Sequence, residues 1–253
     1  MANTSSQPSV RSVQRAIGIL QVLERSERPL RLKEISDIVD LHPATTSRLL
    51  ATLEESHYVV QDQQLYRLGS SVLRLTHGFL VNDPLSQFAR PIMQRLTQLT
   101  GLTSTLHMLA EGERLLTVRV DGIEPMPYQQ PIGRWLPLYI GSGRTIAAFM
   151  DSAQQEAVAE MGDGEPRANG TALSKKGILE SFEQIRADEY YVSITERTTS
   201  IAAISVPLFL DGAVAGSLSL TGPQDTTSRA ALEEALPALR SASEEISNRK
   251  SYQ

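Results

Sequence analysis

The sequence predicts an α+β protein in two parts: a small helix-rich head and a larger body in which helices cover an antiparallel sheet. Three observations carry this. Residues 31–53, RLKEISDIVDLHPATTSRLLATL, read as two short helices joined by a tight turn. Beyond Gly101, strand-like apolar runs recur between turn signals, with helical spacing before and after them. The charge also divides: residues 1–80 carry nine Lys/Arg and eight Asp/Glu, net +1, whereas residues 81–253 carry fifteen and twenty-one, net −6. Only the first part is electrostatically tolerable beside DNA, and it must rely on locally placed arginines and helix N-termini, not a broad positive field.

A length of 253 residues fits two domains, and 41% hydrophobic with 21% charged residues gives ample apolar surface to bury. No apolar run approaches the length that crosses a bilayer. The N-terminal MANTSSQPSV lacks the apolar centre of a secretory signal, and the absence of cysteine excludes disulfides, thiolate nucleophiles and cysteine-ligated metals. A cytoplasmic location is expected.

Taken in order, residues 1–9 form a polar tail. A first helix runs from Val10 to about Glu24, with Val13, Ile17, Leu20, Val22 and Leu23 as its buried stripe. Ser26 to Pro29 ends it, because the residue before a proline is steered away from helical ψ. In the next helix Leu32, Ile35 and Val39 share one face. Asp40, Leu41 and His42 interrupt the pattern, and Pro43 opens a new helix at the one position where a missing N–H costs nothing. Thr46, Leu49, Leu50 and Leu53 then face inward, which leaves Ala44, Thr45, Ser47 and Arg48 outward. Small side chains allow close approach to base edges, and arginine can bond guanine or phosphate through two N–H groups. Residues 57–60 and 65–68 are strand-like runs around Asp62-Gln63-Gln64, so the head is a winged helix-turn-helix over residues 10–69. Gln63, Gln64 and Arg67 are its candidate wing contacts, beside Pro43, Ala44, Thr45, Ser47 and Arg48 on the recognition helix.

Residues 70–82 form a linker helix with Val72, Leu75 and Phe79 at helical spacing. Asn82-Asp83-Pro84 restarts a helix with a capping side chain and proline at its first position. That helix ends at Gly101, suited to a left-handed cap. In the body, residues 83–253, strands are expected at 103–110, 114–120, 190–195, 201–210 and 213–221. Helices are expected at 144–150, 152–160 and 174–188, with one last helix from about Thr227 to Asn248. Residues 122–131 read as a loop.

Several chemistries are excluded. Gly141 to Thr145 lacks the upstream glycine of a phosphate-binding loop and does not match a nucleophile elbow. Histidines 42, 57, 77 and 107 share no metal-ligand spacing. Glu233-Glu234 and Glu244-Glu245 read as solvated helix faces. No cofactor and no metal are expected. The alternative function, an enzyme acting on a small acid behind an N-terminal interaction module, lacks a nucleophile–base constellation.

From about Ser12 to Pro223 the sequence resembles the IclR family of bacterial transcription regulators. The blocks that carry the resemblance are VQRAIGILQVLE, RLKEISDIVDLHPATTSRLLATLEES, YRLGSSVLRL, RVDG at 119–122, PLYIGSGRTIAAF at 137–149 and ISVPLFLDGAVAGSLSLTGP at 204–223. The resemblance implies a GAF-like α/β effector-binding domain after the linker helix. It also implies homodimers, often paired as dimers of dimers, reading a palindromic double-stranded operator. A small carboxylate effector would bind on the body's sheet. Main-chain N–H groups at Gly141, Ser142 and Gly143 would serve it, together with the hydroxyls of Ser219 and Thr221, two residues apart on one sheet face. Ala203 stands near the place of a cysteine found in relatives that bind very small oxo-acids. Residues 193–198 offer no aspartate, and Arg144 stands where lysine is usual. With Trp135 nearby, these departures point to a pocket for a larger or aromatic acid.

Overall fold

A computed structural model of the protein describes residues 10–126 and 130–249. The tail expected at residues 1–9 lies outside the described residues. Two compact units meet in sequence between Val81 and Asn82.

The first unit begins with α1 (Arg11–Arg25), which ends at Ser26 in extended backbone. Its buried positions are Ile19 and Leu23, with Leu20 and Val22 half-buried. Val13 and Ile17, expected inside, are 53% and 50% exposed, so the inward face is rotated from the one their spacing marks. After it come β1 (Leu30–Arg31), α2 (Leu32–Ile38), α3 (Pro43–Glu55), β2 (Val59–Asp62) and β3 (Leu65–Leu68). The wing is a three-stranded antiparallel sheet in the order β1-β3-β2, not the expected hairpin alone. Leu30 pairs with Tyr66, and two residues in so short a strand leave no periodicity to read. Gln63 and Gln64 both have positive φ, 46° and 65°, as the tight turn between β2 and β3 requires. Ile19, Leu23, Leu30, Ile35, Leu50, Val59 and Tyr66 form this unit's core. Helix α4 (Ser71–Asn82) follows, and Ser71 is its one buried residue.

The second unit opens with α5 (Pro84–Thr100). Asp83 caps it by accepting from Ser86 N at 2.9 Å, and Gly101 ends it at φ 72°. The sheet contains β4 (Thr103–Ala110), β5 (Glu113–Val120), β6 (Trp135–Leu136), β7 (Tyr191–Ile194), β8 (Ile201–Leu210) and β9 (Ala213–Pro223), in the order β6-β5-β4-β9-β8-β7 with every pair antiparallel. Helices α6 (Ser142–Ala147), α7 (Ser152–Met161) and α8 (Lys175–Asp188) lie between β6 and β7 in the chain. The expected last helix is two, α9 (Arg229–Glu234) and α10 (Leu236–Ser247). Pro237 sits in the first turn of α10, and a proline ring cannot continue the preceding helix without losing a hydrogen bond.

Each sheet face has its own core. Leu106, Val118, Ile204, Val206, Leu218 and Leu220 pack with α5 and α10 residues such as Ile92, Met93, Leu239 and Ile246. A second cluster joins Ile146 and Ala147 of α6 to Ile178, Phe182 and Ile185 of α8. The sheet carries one irregularity with functional weight. Leu106 pairs with Val118, but His107 pairs with Leu116, so Thr117 is an extra residue bulged out of β5.

Candidate functional site

Two places carry functional chemistry. The first is the exposed turn of α3. His42 precedes the helix and its Nδ1 accepts from Ala44 N at 3.3 Å. Thr46 and Leu50 are buried, at 0% and 1% exposure, which fixes the helix's rotation. Pro43, Ala44, Ser47 and Arg48 are therefore exposed, and Thr45 is half-buried. Gln63, Gln64 and Arg67 are exposed on the wing.

The second is a cavity of about 90 Å³ on the sheet face opposite the α5–α10 core, room for several waters at about 10–15 Å³ each. Alternation places Thr103, Thr105 and His107 of β4 there, with Ser219 and Thr221 of β9 and Ala203 of β8. Register puts these in rows, with Thr105 opposite Ser219 and Thr103 and Ala203 on either side of Thr221. Gly141 and Ser142 line the cavity at the start of α6, and Ser193, Glu196, Arg197 and Thr198 line it from β7 and the loop beyond.

Arg114 and Arg119 both line the cavity although they stand five positions apart on one strand. Unbroken alternation would put them on opposite faces. The bulge at Thr117 shifts the count by one and turns both inward. Arg114 is 3% exposed and donates to Ser142 Oγ and, at 3.1 Å, to Ile140 O. Burial first, then the nearby Arg197, pushes its pKa down to about 9, so it remains a cation at neutral pH. Arg119 donates to Gln130 O at 2.6 Å and pairs with Asp121 at 2.9 Å. With its amide oxygen turned to Arg197, Gln130 accepts from Nη2 at 2.5 Å, and its amide nitrogen then lies 3.4 Å from His107 Nε2. Burial, followed by the charge of Arg114, holds His107 well below the usual imidazole range, so it is neutral at pH 7. Buried Arg114 Nε, His107 Nδ1, Thr198 Oγ1 and Ser219 Oγ have no hydrogen-bond partner among the described residues. Such groups are costly to leave unmade, and here they line one cavity.

One acid closes the end of the cavity near α6. Glu196 Oε2 accepts from Gly141 N at 2.9 Å, and Oε1 accepts from Tyr191 Oη at 2.5 Å. Arg144 Nη1 stands 3.5 Å from Oε1 and donates to Tyr191 Oη at 2.9 Å. Burial first, and then the Glu196 charge, raises the Tyr191 pKa, so the phenol keeps the proton it donates.

Two family models match, IclR helix-turn-helix domain over residues 12–63 and bacterial transcriptional regulator IclR C-terminal over residues 77–248. The chain belongs to the IclR family. An IclR-family relative, the HTH-type transcriptional repressor AllR of Salmonella paratyphi A, is 30% identical over 227 residues, covering 88% of this chain and 83% of that protein. The IclR family transcriptional regulator from Brucella abortus superposes with a TM-score of 0.80 at 26% identity, over 94% of this chain and 92% of the other. An IclR homologue from Microbacterium hydrocarbonoxydans, complexed with 4-hydroxybenzoate, superposes at 0.72 with 20% identity, over 93% and 97%. This IclR chain is thus a transcriptional regulator with a helix-turn-helix domain followed by a C-terminal α/β domain.

The structure gathers Gly141, Ser142, Ala203, Ser219 and Thr221 around one cavity, and leaves two expected residues out. Trp135 pairs with Leu115, and cross-strand partners point to the same face, so it lies on the side of the sheet away from Arg114. Gly143 does not offer a free N–H, because its own bonds Ile140 O at 3.3 Å. Its lack of a side chain matters instead, since a Cβ there would sit 2.6 Å from Pro137 O and 2.7 Å from Leu138 Cα. The Gly141 N–H is occupied by Glu196, and Thr221 Oγ1 donates to Thr103 O at 3.2 Å. Sequence reasoning missed Arg114, Arg119, His107, Glu196 and Arg197. The run Thr195-Glu196-Arg197-Thr198 was legible as polar residues before a strand, but not as the cavity's wall.

Proposed function

We propose that this IclR regulator binds a palindromic operator through α3 and the wing, and that a small organic acid in the sheet cavity sets its operator affinity. The observation that carries the reading is the cationic cavity with buried polar atoms lacking partners, in the same chain as an exposed helix-turn-helix. A ligand shifts operator affinity only by its differential affinity for the protein's two arrangements. Three arginines against one glutamate make the lining complementary to an anion. The 4-hydroxybenzoate held by the Microbacterium homologue agrees in kind. Pro43, Ala44, Thr45, Ser47 and Arg48 enter the major groove, and Gln63, Gln64 and Arg67 meet flanking backbone. No helix among the described residues is long and apolar enough to cross a membrane, which accords with a cytoplasmic factor. The test is a gel shift on DNA upstream of the gene with and without acids that calorimetry shows to bind. An operator complex whose affinity moves at least several-fold with acid is expected; failure to bind any upstream duplex would overturn the reading.

Two copies are required for a palindrome, since a single module buries too little surface for useful specificity. The first unit offers apolar faces for pairing: Val10, Val13 and Ile17 on and before α1, at 63%, 53% and 50% exposure, and Leu75 and Phe79 on α4, at 60% and 51%. Val13 and Ile17 belong to the stripe whose helical spacing reads as buried, and a partner subunit would bury all five positions. Leu75→Glu combined with Phe79→Glu is expected to leave the fold intact and shift the first unit's self-association to monomer. Operator affinity should fall by at least about 100-fold as half the contacts are lost. Sedimentation and anisotropy titration read the two effects; an unchanged dimer with unchanged operator affinity would count against this interface. Pairing of dimers into tetramers is part of the same proposal.

A further inference from the structure

We infer that Arg114 is the seat of the effector's carboxylate, that Glu196 already fills the main-chain position at the start of α6, and that the cavity therefore selects a small aliphatic hydroxy acid. This rests on reading the cavity as the effector site.

Arg114 is a buried cation that makes hydrogen bonds only to neutral atoms, Ser142 Oγ and Ile140 O, and no carboxylate among the described residues lies within ion-pair distance of it. A guanidinium carries five N–H groups, so three remain, including the buried Nε that has no partner. A buried charge left unpaired is strongly unfavourable, and an arriving carboxylate would compensate it with two parallel charge-assisted hydrogen bonds. The acid nearest in role, Glu196, is turned away from this task. Its oxygens accept from Gly141 N and Tyr191 Oη, with Arg144 beside them. An incoming anion at the same N–H would have to displace Glu196 and leave it unpaired.

The rest of the lining fixes the ligand's class. Ser219 Oγ, Thr198 Oγ1 and His107 Nδ1 are buried and lack partners, and each can bond a ligand hydroxyl. The apolar lining is confined to Met126, Ile201 and Ala203, with no phenyl or indole ring on any lining residue among those described. Benzoate would leave those three polar groups unmade and the single hydroxyl of 4-hydroxybenzoate could not serve them all, whereas a hydroxylated aliphatic acid would satisfy them.

Calorimetry on the full chain with glycolate, L-lactate, L-malate, D-gluconate, benzoate and 4-hydroxybenzoate tests this. At least one of the four aliphatic hydroxy acids is expected to bind more tightly than either aromatic acid, and its primary amide about 10- to 100-fold more weakly, the range for charge-assisted hydrogen bonds. Arg114→Met should weaken the same acid by about 10- to 100-fold, while raising the melting temperature of the ligand-free protein as a buried charge is removed. Glu196→Gln should retain or tighten binding. Undiminished affinity in Arg114→Met, or an amide equal to its acid, would overturn the inference while leaving the acid-responsive reading standing. If Arg114→Met does not fold, the acid–amide comparison on the unaltered protein decides. Benzoate or 4-hydroxybenzoate binding as tightly as every aliphatic hydroxy acid would overturn the ligand class. Silence from all six acids would overturn this inference together with the effector reading beneath it.

Discussion

Arg48→Ala is expected to lower operator affinity by between about 30-fold and 10⁴-fold, with acid binding and the melting temperature unchanged. The magnitude follows from symmetry. A bidentate arginine–guanine contact contributes about 1–3 kcal/mol of discrimination, and the proposed dimer would present it twice. The specificity of the effect follows from position. Arg48 is exposed on α3, and among the described residues its side chain makes no hydrogen bond or ion pair. Its removal therefore leaves nothing unpaired inside the protein, and stability should move by less than about 0.5 kcal/mol. Fluorescence anisotropy at one fixed salt concentration measures the loss, because phosphate contacts make affinities at different salt incomparable. If affinity were unchanged while Gln63, Gln64 or Arg67 variants abolished it, the wing and not α3 would be the reading element.

The second large effect is expected at Gly143→Ala, and it is one of stability. The new Cβ would lie 2.6 Å from Pro137 O, 2.7 Å from Leu138 Cα and 2.8 Å from Leu138 O. All three are backbone atoms, so no side chain can swing aside, and the segment 137–140 or α6 must move. Overpacking of this kind costs on the order of 3 kcal/mol, or about 6–12 °C in the melting transition of a unit this size. Ile146 and Ala147, fully buried just beyond, would be drawn with it, and so would Ser142, which touches Arg114. A thermal melt of the variant beside the parent chain reads the loss; a melting temperature within 2 °C or so would show that the backbone yields more easily than close packing implies.

Much of this architecture was legible before any coordinates. Helix α3 announced itself because Pro43 has one comfortable place in a helix and because Thr46 and Leu50 share its inward face. The strand pairs at Glu111-Gly112 and Asp211-Gly212 were legible because those turns need positive φ, which the structure shows at all four residues. Val13 and Ile17 misled because helical spacing marks an apolar stripe without saying whether it meets the protein's own core or another surface. At the cavity, the family resemblance implied the hydroxyls of Ser219 and Thr221 and alternation put them on one face, whereas Arg114 was missed, because the bulge that aims it leaves no mark in residue type. Glu196 was missed for a different reason. It bonds Gly141, 55 residues earlier, and such tertiary pairing has no local signature.

The bulged Thr117 makes the length of one strand a chemical variable. Were that residue absent, odd and even positions before it would trade places, and Arg114 would swing toward the hydrocarbon layer of α5 and α10 while a neighbouring leucine replaced it in the cavity. A single-residue deletion would thereby do more than any substitution at the same site, changing a cationic chamber into a greasy one. Among kindred regulators, counting residues along this strand should sort those that answer to anions from those that answer to neutral molecules.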